Sequence, residues 1–112
     1  MPHSITSASN PLIKTLKSLH AKKGRAESGL FLAEGARLAR EAAELGVWPE
    51  VLAFSRSATE RPNIGALITE AERRGARCIE TSEAILAAIA KRDNPQTLIG
   101  AYRQALAPLT AI

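Results

Sequence analysis

Residues 29–46, GLFLAEGARLAREAAELG, hold a short apolar run and then a helical pattern, with one glycine between them. The run Leu30–Glu34 lies between two glycines, which predicts a strand. Apolar side chains then recur at helical spacing from Leu38 to Leu45, and Gly46 is a suitable residue to end that helix. This stretch therefore predicts one strand–helix unit of an α/β domain.

The rest of the chain repeats this alternation. Further strands are predicted at 51–54, 76–80 and 98–102, and further helices at 64–71 and 82–89. Regular alternation of strands and helices indicates an α/β layered domain with a largely parallel sheet and right-handed crossovers. The chain of 112 residues is the size of one domain, and 46% hydrophobic content excludes a disordered protein.

A first helix is predicted before this alternation begins. Asn10 is a good N-cap and Pro11 suits the first helical position. Leucines at 12, 16 and 19 share one face of this helix, and Lys14 and Lys17 point away from it. The helix is expected to fray at residues 20–25, which are basic and contain a glycine.

The positive charge of the chain is concentrated at its N-terminus. Residues 1–25 contain five basic residues and no acid, whereas residues 26–112 contain 10 basic and 11 acidic residues. A clustered positive segment on a near-neutral body is typical of a polyanion binder, most often a nucleic acid. A solvated charged face is the plainer alternative. The predicted phosphate-contacting residues of this segment are Lys14, Lys17, Lys22, Lys23 and Arg25.

Several other classes of protein are disfavoured by the sequence. Cys78 is the only cysteine, so no internal disulfide can form, and a buried apolar role is expected for it. The start of the chain lacks the apolar core of a signal peptide, and no stretch is long enough to span a bilayer, so a cytoplasmic location without membrane contact is expected. Neither a zinc-ligand spacing nor a glycine-rich nucleotide loop is present, and no catalytic constellation can be assembled.

Glu34 is the carboxylate whose position calls for an explanation. It ends an apolar strand and directly precedes Gly35 and a helix. Glu34 is expected either to stabilise that helix start, or to pair with Arg37 or a lysine of the basic segment. The alternative is that it orients a basic side chain against RNA. His20, in the basic segment, is expected to be solvated or to contact phosphate.

Three segments taken together resemble a known family. They are residues 9–14 (SNPLIK), residues 22–37 (KKGRAESGLFLAEGAR), and Asn94-Pro95-Gln96 followed by an apolar strand. Arg25 to Gly35 fits the family pattern R-x-x-x-G-x-F-x-x-E-G throughout. The chain resembles the N-terminal substrate-binding domain of the SpoU (TrmH-type) RNA 2′-O-ribose methyltransferases.

The resemblance implies a three-layer α/β/α sandwich similar to ribosomal proteins that bind kink-turn RNA. It implies a basic helical arm at 1–28, an RNA-binding domain at 29–104, and the start of a linker at 105–112. Asn10, Glu34 and Gly35 would be orienting residues, and Arg37 would join the RNA-binding set. The domain would hold rRNA or tRNA while a separate catalytic domain, absent from this chain, binds S-adenosylmethionine, dimerises and methylates a ribose. This chain would then hold no cofactor, metal or catalytic residue of its own.

Two other functions remain open at this stage. The domain could pack on a partner protein without any affinity for RNA, and the apolar residues Leu106, Leu109 and Ile112 favour that alternative. A small enzyme acting alone is also conceivable, although no group of residues argues for it.

Overall fold

The computed structural model describes residues 3–5, 10–91 and 97–103, which form a five-stranded sheet covered by helices on both faces. The predicted motif at 94–96 and the predicted linker at 105–112 lie outside the described residues. The strands are β1 (His3–Ile5), β2 (Leu30–Glu34), β3 (Val51–Phe54), β4 (Arg77–Thr81) and β5 (Leu98–Arg103).

Six helices are found among the described residues, and they connect these strands. They are α1 (Pro11–Ser18), α2 (Lys22–Ser28), α3 (Ala36–Glu44), α4 (Arg56–Thr59), α5 (Pro62–Arg73) and α6 (Glu83–Ala90). Among the described residues, none of these helices is long and apolar enough to cross a membrane.

The sheet is mixed, which corrects the expectation of a largely parallel one. Its strand order is β1-β4-β3-β5-β2. Strand β4 runs parallel to β1 and to β3, whereas β5 lies antiparallel between β3 and β2. The final strand inserts into the middle of the sheet, so β2 is left at one edge.

Each face of the sheet has its own core. One face packs against Ile13, Leu16 and Leu19 of the N-terminal segment and against the apolar residues of α6. The opposite face packs against α3, α4 and α5, with Phe54 fully buried. Alternate side chains along each strand pack into the two different cores, because successive residues of a strand point to opposite faces of the sheet. The arrangement is the predicted α/β/α sandwich.

Local structure differs from the prediction in three places. Strand β1 was not predicted. Residues 22–28 form a helix rather than a frayed stretch, and this helix ends at Gly29, whose φ of 72° is the left-handed conformation that glycine adopts without strain. The predicted loop at 55–63 contains the short α4 and the start of α5. Helix α1 is integral to the fold, because its apolar face lies in a core.

Candidate functional site

The start of α1 is fixed by the residues that the sequence predicted. Asn10 Oδ1 accepts a hydrogen bond of 2.9 Å from the Leu12 N–H, and Pro11 occupies the first turn. Ile13 is fully buried and Leu16 nearly so, while Lys14 on the opposite side is exposed. The helix is thus held by its apolar face and presents lysine to solvent.

Helices α1 and α2 meet at a corner that requires glycine. A Cβ placed on Gly24 would lie 2.1 Å from the carbonyl oxygen of Ser18. That separation is far shorter than any real van der Waals contact, so a side chain at position 24 would force the two backbones apart. The close approach sets the position of α2, and with it Lys22 and Lys23, relative to α1.

Arg25 stabilises this corner from within. Its Nη1 donates hydrogen bonds of 3.1 Å to the carbonyl oxygens of Leu19 and of His20, at the end of α1. These carbonyls have no partner in an ideal helix, and a cation there is also favoured by the helix dipole. Arg25 therefore has a structural role here that the sequence did not predict.

His20 ties the corner to the neighbouring helix. Its Nε2 donates to the carbonyl oxygen of Ile89, at a distance of 2.5 Å. His20 is exposed, as expected for a solvated side chain, and it is in addition engaged with the backbone of α6; its contact with phosphate stays a prediction. Together with Gly24 and Arg25, the hydrogen bond to Ile89 makes the corner a fixed element.

Four lysines lie on the outside of this corner, and we call them the lysine surface: Lys14, Lys17, Lys22 and Lys23. Lys17 is half-buried and the other three are exposed. Within the described ranges 3–5, 10–91 and 97–103, no carboxylate forms a salt bridge with any of the four. Only one acid, Glu27, is found on α1 or α2.

Two arginines at the end of α5, in the opposite layer, are engaged with other side chains. Arg73 and Arg74 both pair with Glu70, and the hydrogen bond from Arg74 lowers the pKa of the Glu70 carboxyl. Arg74 also lies 5.3 Å from the centre of the Trp48 ring, within the range of a cation–π contact. The lysine surface differs from the α3–α5 layer in its acid content, since α1 and α2 carry one acid whereas α3 and α5 carry four beside their arginines: Glu41, Glu44, Glu70 and Glu72.

Arg37 lies away from the lysine surface, on α3 in the opposite layer. Its Nε donates to Glu41 Oε2 at 3.3 Å, and its side chain is 87% exposed. Glu34 is half-buried at the end of β2. Gly35 is buried with a φ of 102°, and its N–H donates to the Leu98 carbonyl at 2.8 Å. Gly35 thus closes the turn between β2 and α3.

The buried thiol and phenol have the character of core groups. Cys78 is 2% exposed, and burial raises the pKa of its thiol to about 11. Burial likewise raises the pKa of Tyr102 to about 12. Among the described residues, no group of three or more metal-ligating side chains is close enough to hold an ion.

The comparisons with known proteins agree with this fold. The family described as MRM3-like substrate binding domain matches residues 10–100. An AdoMet-bound rRNA methyltransferase from Sinorhizobium meliloti is 33% identical with a TM-score of 0.75, covering 97% of this chain and 39% of that one. An RNA 2′-O ribose methyltransferase is also 33% identical, with a TM-score of 0.70, covering 90% of this chain and 37% of that one. No curated protein matches the chain.

A smaller protein shares the fold alone. The 15.5 kD RNA binding protein of Giardia lamblia has a TM-score of 0.64 at 18% identity, covering 99% of this chain and 88% of that one. The match over residues 10–100 places the chain in the MRM3-like substrate-binding domain family, and it is similar to the N-terminal substrate-binding domain of SpoU-type RNA methyltransferases. The chain spans less than two-fifths of the length of the two methyltransferases named above.

Proposed function

We propose that this domain binds the RNA substrate of a 2′-O-ribose methyltransferase through the lysine surface. The observation that carries the proposal is four lysines without a salt bridge to a described carboxylate, on two helices whose corner is fixed by Gly24, His20 and Arg25. Lysine ammonium groups bind phosphate as point charges, and such contacts position an RNA without reading its sequence. The membership in a substrate-binding family supports this assignment.

The rigid corner matters because it reduces the cost of binding. Phosphates follow an RNA strand at fixed intervals, so lysines on two helices of set orientation match one path of the backbone. Because the two helices are already fixed before binding, they do not lose the conformational freedom that a flexible arm would lose on contact with RNA. We infer that the lysine surface holds a structured rRNA or tRNA segment in one orientation.

Methyl transfer is proposed for the part of the relatives that this chain does not span. When bound there, S-adenosylmethionine would supply the methyl group for a ribose 2′-hydroxyl. The β2–α3 turn, where many α/β proteins bind a cofactor, is a single glycine whose N–H is already used by Leu98. The residues of that turn do not fit a cofactor. This domain's contribution is then to hold the RNA near the reacting groups, which lowers the barrier by proximity.

Salt dependence of RNA binding tests the proposal. The affinity for a structured tRNA or rRNA fragment is measured by fluorescence anisotropy at several salt concentrations. Replacing Lys22 and Lys23 by alanine should weaken binding and flatten the slope of log K against log salt by about 1.4 to 1.8, since each phosphate contact contributes about 0.7 to 0.9. The matched control replaces Arg56 and Arg61, which are exposed in the layer formed by α4 and α5, and removes the same charge.

Equal losses in both double variants would mean that net charge, not the lysine surface, determines affinity. Absence of RNA binding at low salt would reject the proposal. The remaining candidate would then be a protein-packing module, which the exposed Leu38 on α3 and the exposed Leu45 directly after it favour.

A further inference from the structure

Helix α6 ends on an amino acid that the local backbone does not favour. Lys91 directly follows the helix with a φ of 57° and a ψ of 44°, which is the left-handed conformation. Among the described residues, it is the only one other than glycine that has a positive φ. In this conformation the Cβ of an L-residue is crowded against the backbone, so lysine is strained where glycine is not.

Three other helices use glycine for the same geometry. Gly29 ends α2 with a φ of 72°, and Gly46 and Gly75 come shortly after α3 and α5 with φ values of 79° and 97°. Glycine is the usual residue in such places because it has no Cβ. The lysine after α6 therefore needs a reason besides the fold, and strained residues of this kind are concentrated at functional sites.

The helix dipole does not account for the position of this lysine. A cation near the C-terminus of a helix is favoured by the dipole, but any outward-facing position of the last turn would provide that benefit without the left-handed backbone. In α6 the half-buried position 88 of the last turn is an alanine. The dipole alone therefore does not explain why the cation is at position 91.

The end of α6 is joined to the corner that carries the lysine surface. His20, which lies between Lys17 and Lys22 in the chain, donates through Nε2 to the Ile89 carbonyl oxygen at 2.5 Å. Consecutive Cα atoms are about 3.8 Å apart, so the Cα atoms of Ile89 and Lys91 are within about 7.6 Å of each other. Helices α1 and α6 also share one core. Lys91 therefore lies beside the corner, in the same layer as α1.

The charge of Lys91 is not neutralised by a described carboxylate. Its side chain is exposed, and in the ranges 3–5, 10–91 and 97–103 no carboxylate forms a salt bridge with it. Glu83 is the only acid of α6, and it lies at the other end of the helix, about 12 Å away along the axis. An exposed lysine without an acidic partner is suited to neutralise a phosphate.

We infer that Lys91 is a fifth phosphate-binding cation of this domain and extends the RNA contact from α1 and α2 onto α6. The inference rests on the function proposed above, because it takes RNA as the ligand. Contacts from three helices of one layer fix the orientation of an RNA segment more fully than contacts from two. The strained backbone at position 91 is then explained by a need for lysine beside the corner.

The substitution Lys91→Gly tests the inference through two different effects. Glycine suits the left-handed backbone, so the thermal unfolding midpoint should be no lower than that of the wild-type chain. The affinity for a structured tRNA fragment, measured by fluorescence anisotropy, should nevertheless fall about five- to eightfold at about 0.1 M salt. The slope of log K against log salt should flatten by about 0.7 to 0.9, because one phosphate contact is lost.

Two control variants show whether the charge at this position matters. Lys91→Arg keeps the charge and should bind RNA within about twofold of the wild-type chain. Arg61→Gly removes an exposed cation at the start of α5 and should also stay within about twofold. Equal losses for Lys91→Gly and Arg61→Gly would overturn the inference, since net charge would then explain both.

The double variant of Lys22 and Lys23 separates this inference from the proposed function. If the double variant weakens binding while Lys91→Gly leaves the affinity and the slope unchanged, the lysine surface binds RNA and the inference about Lys91 is overturned. If neither variant changes RNA binding, the proposed function itself is rejected, and the inference with it. Losses in both variants, with slopes that fall in proportion to the lysines removed, are the expected result.

Discussion

Gly24 is a single residue on which the position of the lysine surface depends. Replacing it by alanine places a Cβ 2.1 Å from a backbone oxygen, and a carbonyl of α1 cannot move as a flexible side chain could. We expect Gly24→Ala to lower the free energy of unfolding by about 1–3 kcal/mol, as overpacking does. Chemical denaturation followed by circular dichroism measures this change.

Gly65 provides the matched control. It lies inside α5, and a Cβ there would come no closer than 3.6 Å to its nearest neighbour, the Thr59 carbonyl oxygen. Gly65→Ala should raise the free energy of unfolding by about 0.5–1 kcal/mol through helix propensity. If Gly24→Ala were as stable as Gly65→Ala, the close contact of α1 with α2 would be disproved.

Cys78 allows a prediction about pH. Its folded pKa, about 11, is raised above the ordinary value of a thiol, so the folded state keeps its proton at a pH where the unfolded chain loses it. The contribution of this group to stability is therefore complete below about pH 8.5 and falls as pH rises toward 11. Between about pH 8.5 and pH 11, the free energy of unfolding of Cys78→Ala should therefore fall by less than that of the wild-type chain.

Thiol reactivity checks the same assignment directly. At pH 8 the native protein should react slowly with a thiol reagent, and denaturant should restore the rate of a free cysteine. Fast reaction of the native chain would show that Cys78 is accessible, contrary to its 2% exposure.

At the scale of elements, Arg25 and the lysines should behave differently. Arg25→Ala removes two hydrogen bonds to the end of α1, so we expect a loss of about 1–3 kcal/mol in unfolding free energy. Lys22→Ala removes an exposed side chain and should change stability by less than about 0.5 kcal/mol. Thermal denaturation of both variants gives the comparison. Equal stability of the two would assign Arg25 to the surface rather than to the corner.

Local signals in the sequence were enough to predict several elements. Val51–Phe54 was predicted with the bounds that the structure has, because a short apolar run buried on both faces has few alternatives. The start of α6 was also predicted, and Ser82 Oγ accepts from the Ile85 N–H. Helix α2 was missed because its composition, basic with a central glycine, disfavours a helix. Its stability comes from contacts with α1 that no local pattern contains.

The pairing of strands that lie far apart in the chain could not be predicted from local sequence patterns. The insertion of β5 between β2 and β3 depends on contacts between distant parts of the chain. The apolar residues of a strand do not show whether it runs parallel or antiparallel to its neighbours. The candidate site shows the same limit. The four lysines were predicted from charge clustering, whereas the placement of Arg37 in the opposite layer follows from the topology. Leu38 and Leu45 fit the apolar period of α3 and yet lie outside the core.

For the whole molecule, the central claim is that RNA lies against the layer formed by α1 and α2. The most direct test follows backbone amide resonances of the isotopically labelled chain during titration with a structured RNA. We expect the largest shifts around Lys14, Lys17, Lys22 and Lys23, with little change on α5. Shifts concentrated on the α3–α5 layer, or no shifts at low salt, would contradict the account.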